Sequence, residues 1–562
     1  MKFSAFITLF CGLLLSFNCL SSTASSNATA IFYSFSYLGK DSVFNSPLAA
    51  GEFQNPILAG FFPDPSIVRV DEDYYLVNSS FSYSPGVPIF HSKDLVHWES
   101  LGHILVTPKQ LPLKGQQVSR GIYAPTLRYH QGIFYLITTL VDVRGNFIVT
   151  ATNPAGPWSD PIELPDVGGI DPDIFFDDDG RVYITHNDSP IGQPLYQGHR
   201  AIWQWELDLK TQKIIKNSGH VIVNGGADIS KKPVWIEGPH IYKIKGWYYL
   251  ICAEGGTETN HSAVVFRARS LKDKFVAYEG NPILTQRDLD AGRENPISNI
   301  GHADLVQTKE GEWWAVFLGT RPYDKQYFNT GRETFLLPVS WKNEWPVILE
   351  KGKSVPYQLT APAIAKTLKN VASTTGNFLW QDKFSTEKLL PEWNTLGTVK
   401  KPWYQLDSKN NELRIAALEN RLSGLAQPAF IGRRQQHTHF DAKAELQLPT
   451  SEKFSVGIAA FQSEVSHYYF AVERKGNSYR LFVEQTNKAT PKILTSVALD
   501  KKTLTQNITL GIEGNAGTID FYYHDKTGQR IDILKNADAK ILSTEVAGGF
   551  VGTYLGMHAR AE

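Results

Sequence analysis

One supersecondary unit recurs five times between residues 54 and 345. The copies are PDPSIVRVDEDYYLVNSSF from Pro63, YAPTLRYHQGIFYLITTL from Tyr123, IDPDIFFDDDGRVYITHND from Ile170, EGPHIYKIKGWYYLICAEG from Glu237 and GHADLVQTKEGEWWAVFLG from Gly301. Each contains a short opening, an alternating strand, a polar turn and an aromatic-rich strand. A strand-only repeat of roughly 45–65 residues has the size of a four-stranded propeller blade, so the pattern predicts a five-bladed β-propeller. A large sandwich with coincidental hairpins is the alternative.

The chain of 562 residues is longer than one ordinary core requires, so we expect at least two domains. The propeller is predicted over residues 54–345. Residues 346–377 are rich in Lys, Ala, Thr, Ser and Pro and are predicted to be a linker. Alternating strands return over 378–562 without the repeat, which predicts an antiparallel, concanavalin-like β-sandwich. The predicted fold class is therefore all-β.

The N-terminal segment has the features of an export signal. Lys2 supplies a positive charge, residues 7–15 form an apolar run, and Ala-Thr-Ala at 28–30 is a candidate cleavage site. The run is too short to span a bilayer, and no later stretch is long enough. We therefore expect residues 1–30 to be a signal peptide of a secreted or periplasmic protein without a membrane partner. Cys252 is the only cysteine after this segment, which excludes an intramolecular disulfide in the mature chain.

The charge balance narrows the class of partner. Lys plus Arg and Asp plus Glu both total 56, so the formal net charge is zero. Nucleic acids and anionic membranes favour basic surfaces, which argues against either as the main partner. The chain has 13 Trp, 24 Tyr and 31 Phe residues. Many must lie in sheets, but such a number also suits a protein that stacks sugar rings on aromatic faces.

The repeat predicts a ring of side chains around the propeller axis. Aligning Pro65, Pro125, Pro172, Pro239 and Ala303 gives spacings of 60, 47, 67 and 64 residues. The residues before these positions are Asp64, Ala124, Asp171, the Glu237-Gly238 pair and His302. Acetal hydrolysis needs one protonated acid for the leaving oxygen and one ionised carboxylate, and crowding like charges raises the pKa of one acid. Three carboxylates on one ring therefore indicate glycoside hydrolysis, although the spacing alone does not distribute the roles.

Each acid also has an ordinary structural interpretation. Asp64 and Asp171 could cap strands, because Asp-Pro favours turns. Glu237 could be a solvated edge charge, but its apolar neighbours argue against this. Asp173 lies on the same strand face as Asp171 and is its rival, and Asp171 is preferred because it aligns with Asp64. The run at 177–179 is assigned to a hairpin turn.

The ordered motifs resemble those of glycoside hydrolase family 43, whose five-bladed propellers include β-xylosidases and α-L-arabinofuranosidases. The matching segments are FFPDPSI at 61–67, SSFSYSPGVPIFHSKDLVHW at 79–98, GIYAP at 121–125, GIDPDIFFDDDG at 169–180, WIEGPHIYK at 235–243, GHADLV at 301–306 and GRETFLLPV at 331–339. The C-terminal part, including PAFIGRRQ at 428–435, is similar to the sandwich found in the xylosidase branch.

The resemblance implies Asp64 as the general base, Glu237 as the general acid and Asp171 as the residue that tunes and orients the acid. It also implies inversion at the anomeric carbon, so we expect roughly 6.5–9.5 Å between base and acid, with room for a water.

The resemblance further implies a set of sugar contacts. His302 and Arg332 match an axial His and a sugar-contacting Arg of the family, although Arg332 could instead form a buried ion pair with Glu333. Phe81 matches a pocket aromatic. Tyr123 stands where the family motif usually carries Trp, so the pocket differs there in ring volume.

Together these features predict an exo-acting, inverting glycosidase that releases terminal pentose from hemicellulose or its oligosaccharides. A β-xylosidase is favoured over an α-L-arabinofuranosidase or a bifunctional enzyme, and the substrates would be xylo-oligosaccharides or arabinose-substituted glycans. No cofactor is required and no metal-ligand run is present, although a structural Ca²⁺ in the axial channel stays open, as does the oligomeric state. The sandwich is expected to close one side of the pocket or to bind glycan.

Two rival functions have less support. A β-fructosidase-type propeller would carry Asn-Asp-Pro-Asn-Gly, Arg-Asp-Pro and Glu-Cys motifs, which are absent from the matching places. A glycan-binding propeller without catalysis predicts that one of the three acids is missing, and all three are present.

Overall fold

The computed structural model describes residues 28–367, 375–499 and 504–562. Most of the predicted signal peptide, residues 1–27, lies outside the described residues. Within the described ranges, no helix is both long enough and apolar enough to cross a bilayer.

Five antiparallel sheets form the blades. The first contains Ser66–Val70, Asp73–Val77, Gly86–Ser92 and Glu99–Leu105. The second contains Thr126–His130, Ile133–Leu140, Gly145–Ala151 and Ile162–Glu163. The third contains Ile170–Phe176, Val182–Asp188, Ala201–Asp208, Lys213–Ile214 and His220–Asn224. The fourth contains Glu237–Ile244, Trp247–Glu254, Ser262–Ala268, Val276–Ala277 and Leu284–Thr285. The fifth contains Ser298–Gln307, Trp313–Thr320 and Glu333–Pro338.

The innermost strands close into a ring. The strand Ser66–Val70 contacts both Thr126–His130 and Ser298–Gln307, so the first blade touches the second and the fifth. The strand Ile170–Phe176 contacts Thr126–His130 and Glu237–Ile244, and the latter contacts Ser298–Gln307. This closed circuit confirms the five-bladed propeller that the repeat predicts.

A buried ion-pair network occupies the axis and takes at least one residue from each blade. Arg128 Nη2 lies 3.1 Å from Asp173 Oδ1, and Arg128 Nη1 lies 2.9 Å from Asp304 Oδ2. Ser66 Oγ donates to Asp304 Oδ2 at 2.7 Å, and the Tyr242 hydroxyl donates to Asp304 Oδ1. A buried charge is tolerated when it is paired and hydrogen-bonded, as it is here. Asp173 therefore has a structural partner, which separates it from its rival Asp171.

The N-terminal segment completes the fifth blade. Leu58 and Thr334 exchange backbone hydrogen bonds of 3.1 and 3.2 Å. Asn55 Nδ2 donates to the Leu336 carbonyl, and the Leu336 N–H donates to Asn55 Oδ1. The short strand Glu52–Gln54 pairs with Gln358–Thr360. Residues before the first repeat thus bond directly to the last, which fixes the closure of the ring.

The predicted linker is a packed segment over most of its described length. It begins within the hairpin Ser340–Lys342 and Trp345–Val347. Ile348 and Val355 are buried in the core between the fourth and fifth blades. Apolar side chains therefore hold this connection against the propeller. They are few among many polar residues, so the composition of the segment alone does not indicate that it is packed.

Two large sheets form the sandwich. The first contains, in spatial order, Tyr404–Asp407, Glu412–Ala416, Thr29–Gly39, His439–Gln447, Asn507–Asn515, Thr518–His524 and Arg530–Asp538, with Leu379–Asp382 also paired to Thr29–Gly39. The second contains Thr490–Leu499, Ser478–Asn487, Ser466–Lys475, Phe454–Ser463, Tyr554–Ala561, Phe430–Arg434, Asn394–Leu396 and Tyr83–Ser84. One apolar core lies between them.

Two strands tie the domains together through these sheets. The strand Thr29–Gly39 precedes the propeller in the chain but pairs with His439–Gln447 inside the sandwich. The strand Tyr83–Ser84 leaves the first blade and pairs with Asn394–Leu396. Arg434 Nε also donates to the Phe61 carbonyl at 2.6 Å. The interface is therefore partly a shared β-sheet.

Short helices complete the structure. Among the described residues, the 3₁₀ segments are Ser42–Phe44, Ile229–Lys231, Ala363–Thr367 and Ala539–Leu542, and an α-helical turn spans Thr544–Ala547. Cys252 is buried in the strand Trp247–Glu254.

Candidate active site

The residue at the aligned ring position adopts a left-handed backbone in four of the five blades. The φ angles are 52° at Asp64, 55° at Asp171, 54° at Gly238 and 52° at His302. Non-glycine residues rarely adopt this conformation, because the Cβ atom crowds the following carbonyl. The ladder registers shift just after Ile170 and just after Glu237, as at β-bulges, which re-aim side chains. A repeated irregularity thus marks the start of the inner strands.

The three predicted acids line one cavity, Asp64 and Asp171 being buried and Glu237 half-buried. Its lining comprises Asp64, Phe81, Tyr123, Ala124, Ile170, Asp171, Glu237, Thr257, His302, Arg332 and Phe550. All seven residues singled out from the sequence therefore lie together. A larger cavity of about 400 Å³ opens further along the same inner strands, but it is lined by residues such as Arg128 and Tyr242 and by no member of the acid trio.

Asp64 is surrounded by groups that favour its ionised form. Arg332 Nη1 lies 2.9 Å from Asp64 Oδ1, and Ser79 Oγ donates to Asp64 Oδ2. Burial acts to raise the pKa of Asp64, but Arg332 leads the groups that lower it, and the pKa lies below its usual value. His302 Nδ1 is 3.8 Å away, and burial lowers the pKa of His302 to about 4, so this imidazole is neutral at pH 7. Asp64 is therefore a carboxylate at neutral pH.

The groups around Glu237 favour its protonated form instead. Burial raises its pKa, the neighbouring Asp64 charge raises it further, and Arg332 and Arg200 oppose the shift only in part. The resulting pKa is about 7. Glu237 therefore keeps its proton over much of the range in which Asp64 has lost its own.

Asp171 is also held towards its neutral form. Burial, Glu237 and Asp64 raise the pKa of Asp171 well above its usual value, while a backbone N–H of Gly238 acts in the other direction. Gly238 is required where it stands: a Cβ atom there would lie 2.8 Å from His302 Cε1, and its φ angle is 54°. The backbone beside Glu237 is thus fitted closely between Asp171 and His302.

Arg332 is not paired with its chain neighbour. Instead, Arg321 Nε donates to Glu333 Oε2 at 2.7 Å, and Arg321 Nη1 lies 2.7 Å from Asp41 Oδ2. The alternative in which Arg332 and Glu333 form the ion pair is wrong, because Glu333 is paired with Arg321 and Arg332 with Asp64. Arg332 is therefore available to Asp64 and the cavity.

Aromatic rings from both domains form one wall. Phe81 and Tyr123 have ring centroids 5.3 Å apart, and Phe550 lies 6.3 Å from each. Phe550 belongs to the loop before the last sandwich strand, and its backbone N–H donates to Ser119 Oγ at 2.9 Å. The sandwich thus covers one side of the cavity, as expected.

Several site residues were not found from the sequence. Apart from the Gly-Gly pair before it, nothing in the sequence around Phe550 indicates a place in the cavity. Its position there depends on how the sandwich packs against the propeller. Ser79 lies within a quoted motif, but nothing in the repeat indicates its bond to Asp64.

The predicted hairpin turn at 177–179 is confirmed by Gly180 N donating to the Asp177 carbonyl at 3.0 Å.

Among the residues with described coordinates, no group of three or more His, Cys, Asp or Glu side chains is arranged to hold a metal ion. The sequence leaves a structural Ca²⁺ in the axial channel open, and that question stands unchanged.

Comparison with known families places both parts of the chain. Residues 53–346 match the family described as Glycosyl hydrolases family 43. Residues 381–562 match the family described as Beta xylosidase C-terminal Concanavalin A-like domain.

Individual relatives extend over nearly the whole chain. A xylosidase/arabinosidase of Butyrivibrio fibrisolvens is 37% identical, over 92% of this chain and 96% of the relative. The non-reducing end alpha-L-arabinofuranosidase BoGH43B of Bacteroides ovatus is 36% identical, over 92% of each chain. A crystal structure described as a GH43_12 retrieved from capybara gut metagenome superposes with a TM-score of 0.88 at 40% identity, over 95% of this chain and 99% of that one.

Proposed function

This chain belongs to glycosyl hydrolases family 43 and is an exo-acting glycosidase, and we propose that it releases terminal pentose units with inversion, using Asp64 as base and Glu237 as acid. The observation that carries this assignment is the split between two carboxyl groups of one cavity. The pKa of Asp64 lies below its usual value, and that of Glu237 is raised to about 7. A pair with divergent pKa values is what acid–base hydrolysis of an acetal needs.

In the proposed reaction Glu237 gives its proton to the glycosidic oxygen as the bond to the anomeric carbon breaks. Asp64 takes a proton from a water molecule that attacks the anomeric carbon from the opposite face. The products are a free pentose of inverted configuration and the shortened glycan. Asp171 assists by holding the segment Glu237-Gly238, since the Gly238 N–H interacts with its carboxyl group. This route uses only side chains and water.

We propose β-xylosidase as the main activity, with α-L-arabinofuranosidase activity as the alternative or a second activity. The β-xylosidase-type sandwich supports the first, and relatives whose names include arabinosidase and arabinofuranosidase support the second. The substrates would be xylo-oligosaccharides or arabinose-substituted glycans. Phe550 reaches the cavity from the sandwich, and such a cover favours cleavage at chain ends.

Comparison of nitrophenyl β-xyloside with nitrophenyl α-arabinofuranoside tests this assignment. We expect hydrolysis of at least one chromogen, release of single pentoses from oligosaccharides, and the inverted anomer as the first product detected by NMR. Failure to cleave either chromogen would reject the pentosidase assignment, and a retained anomer would reject the roles given to Asp64 and Glu237.

We also propose that the chain is exported to the periplasm or beyond. The apolar run at 7–15 and the small residues up to 30 support this. The strand Thr29–Gly39 begins within the predicted cleavage motif, so cleavage after Ala30 would shorten that strand. N-terminal sequencing of the mature protein tests the site, and an intact Lys2 in the secreted or periplasmic fraction would contradict cleavage.

A further inference from the structure

We propose that Trp235, together with Arg200, forms the platform for the sugar on the leaving-group side of the scissile bond, and that this sugar is a pyranose. This inference rests on the proposed role of Glu237 as the general acid. A general acid protonates the oxygen that departs with the leaving group, so the leaving sugar must lie beside it.

Trp235 is held in an unusual conformation two residues before Glu237. Its φ angle is 54°, which is rare for a bulky side chain and points to a functional constraint. Its backbone N–H donates to the Gly198 carbonyl at 2.8 Å, and Gly255 N–H donates to the Val234 carbonyl at 2.9 Å. Neighbouring loops therefore fix the backbone on both sides of this residue.

The indole ring lies against the segment that leads into the catalytic cavity. A Cβ atom on Gly256 would stand 3.5 Å from Trp235 Cδ1, and the following residue, Thr257, lines the cavity with Glu237. A Cβ atom on Gly198 would stand 3.5 Å from Trp235 Nε1. The ring is thus bordered by two glycines that carry no side chain to cover it.

Despite these contacts, Trp235 is 40% exposed. A large aromatic ring left partly in solvent near an active site is typical of a binding surface, because its exposed apolar area is otherwise unused. On the same loop as Arg200, the apolar side chains Ile191 and Leu195 are 74% and 70% exposed.

Arg200 supplies the polar part of the platform. Its guanidinium carbon lies 4.8 Å from the Trp235 ring centroid, and Nη1 donates to Ser189 Oγ at 3.1 Å. Arg200 is also close enough to Glu237 to lower the pKa of that acid. A flat apolar ring with a guanidinium group stacked over it combines apolar surface with hydrogen-bond donors, which matches a pyranose with its C–H groups and its hydroxyl groups. An alkyl leaving group would use neither.

The test compares two leaving groups on the same pentose, xylobiose and methyl β-xyloside. If the chromogenic assay shows arabinofuranosidase activity, the pair becomes arabinofuranosyl-xylose and methyl α-arabinofuranoside. Trp235→Asn removes the ring but keeps a residue that tolerates a left-handed backbone. We expect it to lower kcat/KM for the disaccharide about tenfold or more and for the methyl glycoside by less than about twofold, while Trp235→Phe retains most of the disaccharide activity.

Trp247→Ala is the matched control. Trp247 also stacks with an arginine, the Arg269 guanidinium carbon lying 3.4 Å from its ring centroid, but it begins the partner strand at the end of the hairpin remote from Glu237. We expect the ratio of kcat/KM for disaccharide and methyl glycoside to be unchanged in this variant.

Arg200→Met is a second variant that leaves the Trp235 backbone unaltered. It should also lower kcat/KM selectively for the disaccharide, and it should move the basic limb of the pH profile upward because it removes a cation that lowers the pKa of Glu237.

Equal losses on both substrates in Trp235→Asn and Arg200→Met, or no loss on the disaccharide, would overturn the platform. Failure of the wild-type enzyme on both nitrophenyl pentosides would instead overturn the proposed function, so the two failures are distinguishable.

Discussion

Arg332 Nη1 is bonded to Asp64 Oδ1 across 2.9 Å, in a cavity where both residues are buried. Within the described part of the chain, no comparable partner is bonded to Glu237, whose pKa is about 7. The bond to this arginine thus sets the pKa of Asp64 apart from that of Glu237, so that one acid is ionised while the other keeps its proton.

Replacing this arginine should damage both the rate and the pH profile. Arg332→Met removes the cation that does most to lower the pKa of Asp64, so that pKa rises and the acidic limb of kcat/KM moves to higher pH. We expect kcat/KM to fall by about 10²–10³-fold, as when a preorganised electrostatic contact is removed. Arg181→Met is the matched control, because it breaks an exposed arginine–aspartate pair in a hairpin turn. An unshifted acidic limb in Arg332→Met would contradict the electrostatic role.

The wild-type pH profile should be limited on its basic side by Glu237. The acid must be protonated, so kcat/KM should decline as the pH rises through about 7. Glu237→Gln cannot donate a proton, so we expect a loss of about 10²–10⁴-fold on oligosaccharides and a smaller loss on nitrophenyl glycosides, whose leaving groups need less assistance. The basic limb should disappear in this variant. A variant that cleaves oligosaccharides as fast as the wild type would show that another residue is the acid.

The sequence was sufficient to find the acids because propeller symmetry converts positions along the chain into positions on a ring. Asp64, Asp171 and His302 occupy one position of the repeat, and the structure gives all three a left-handed backbone. Glu237 is offset by one residue, and Gly238 takes the left-handed position in its blade. Periodicity could therefore predict the blades and the trio.

Contacts between distant segments have no such periodicity. The sequence pattern places the strand Thr29–Gly39 in neither domain, and only its first two residues fall within the predicted signal peptide. Its pairing with His439–Gln447 depends on a partner some 400 residues away, which no local pattern indicates. Phe550 is similar, since only the docking of the sandwich brings it to Tyr123. The buried side chains at Ile348 and Val355 were hidden by the polar composition around them. These features follow from tertiary packing rather than from local pattern.

The raised pKa of Glu237 should also be visible in stability. The pKa rises from 4.5 to about 7 on folding, so the folded state binds this proton more tightly, and the contribution is complete below pH 4.5 and lost as the pH rises through 7. Glu237→Gln removes the ionisable group, so it should exceed the wild type in unfolding free energy above pH 7 by on the order of 3 kcal/mol. The difference should vanish below pH 4.5. Urea unfolding of both proteins across this pH range provides the measurement, and equal stabilities at pH 8 would contradict the shift.

The aromatic cover provided by the sandwich should matter for substrate binding. Phe550→Ala removes a ring that lines the cavity beside Phe81 and Tyr123, so we expect kcat/KM for pentosides to fall about tenfold or more, mainly through KM. Leu379→Ala is the matched control, because Leu379 is an exposed apolar residue of the same domain outside the cavity lining. Steady-state kinetics on the preferred nitrophenyl pentoside distinguishes them. Equal effects of the two substitutions would mean that the sandwich acts only through general stability.

Asp171 and Asp173 are two residues apart, and their substitutions should separate catalysis from stability. Asp173 is paired with Arg128 at 3.1 Å inside the axial network, so Asp173→Asn weakens a buried ion pair and should lower the unfolding free energy by roughly 3 kcal/mol. Its effect on kcat should be less than about tenfold, because Asp173 is absent from the cavity lining.

Asp171→Asn should behave in the opposite way. Burial raises the pKa of Asp171 well above its usual value, so ionisation of the folded protein costs stability as the pH rises, and a neutral amide removes that cost. The unfolding free energy at pH 7 should therefore be equal to or greater than that of the wild type. The substitution also replaces the carboxyl group that interacts with the Gly238 N–H and holds the segment Glu237-Gly238, so kcat should fall by about 10²-fold or more. Denaturant unfolding and kinetics on the same preparations check the crossed pattern. If Asp173→Asn were the inactive variant and Asp171→Asn the unstable one, the assignment of these two acids would have to be exchanged.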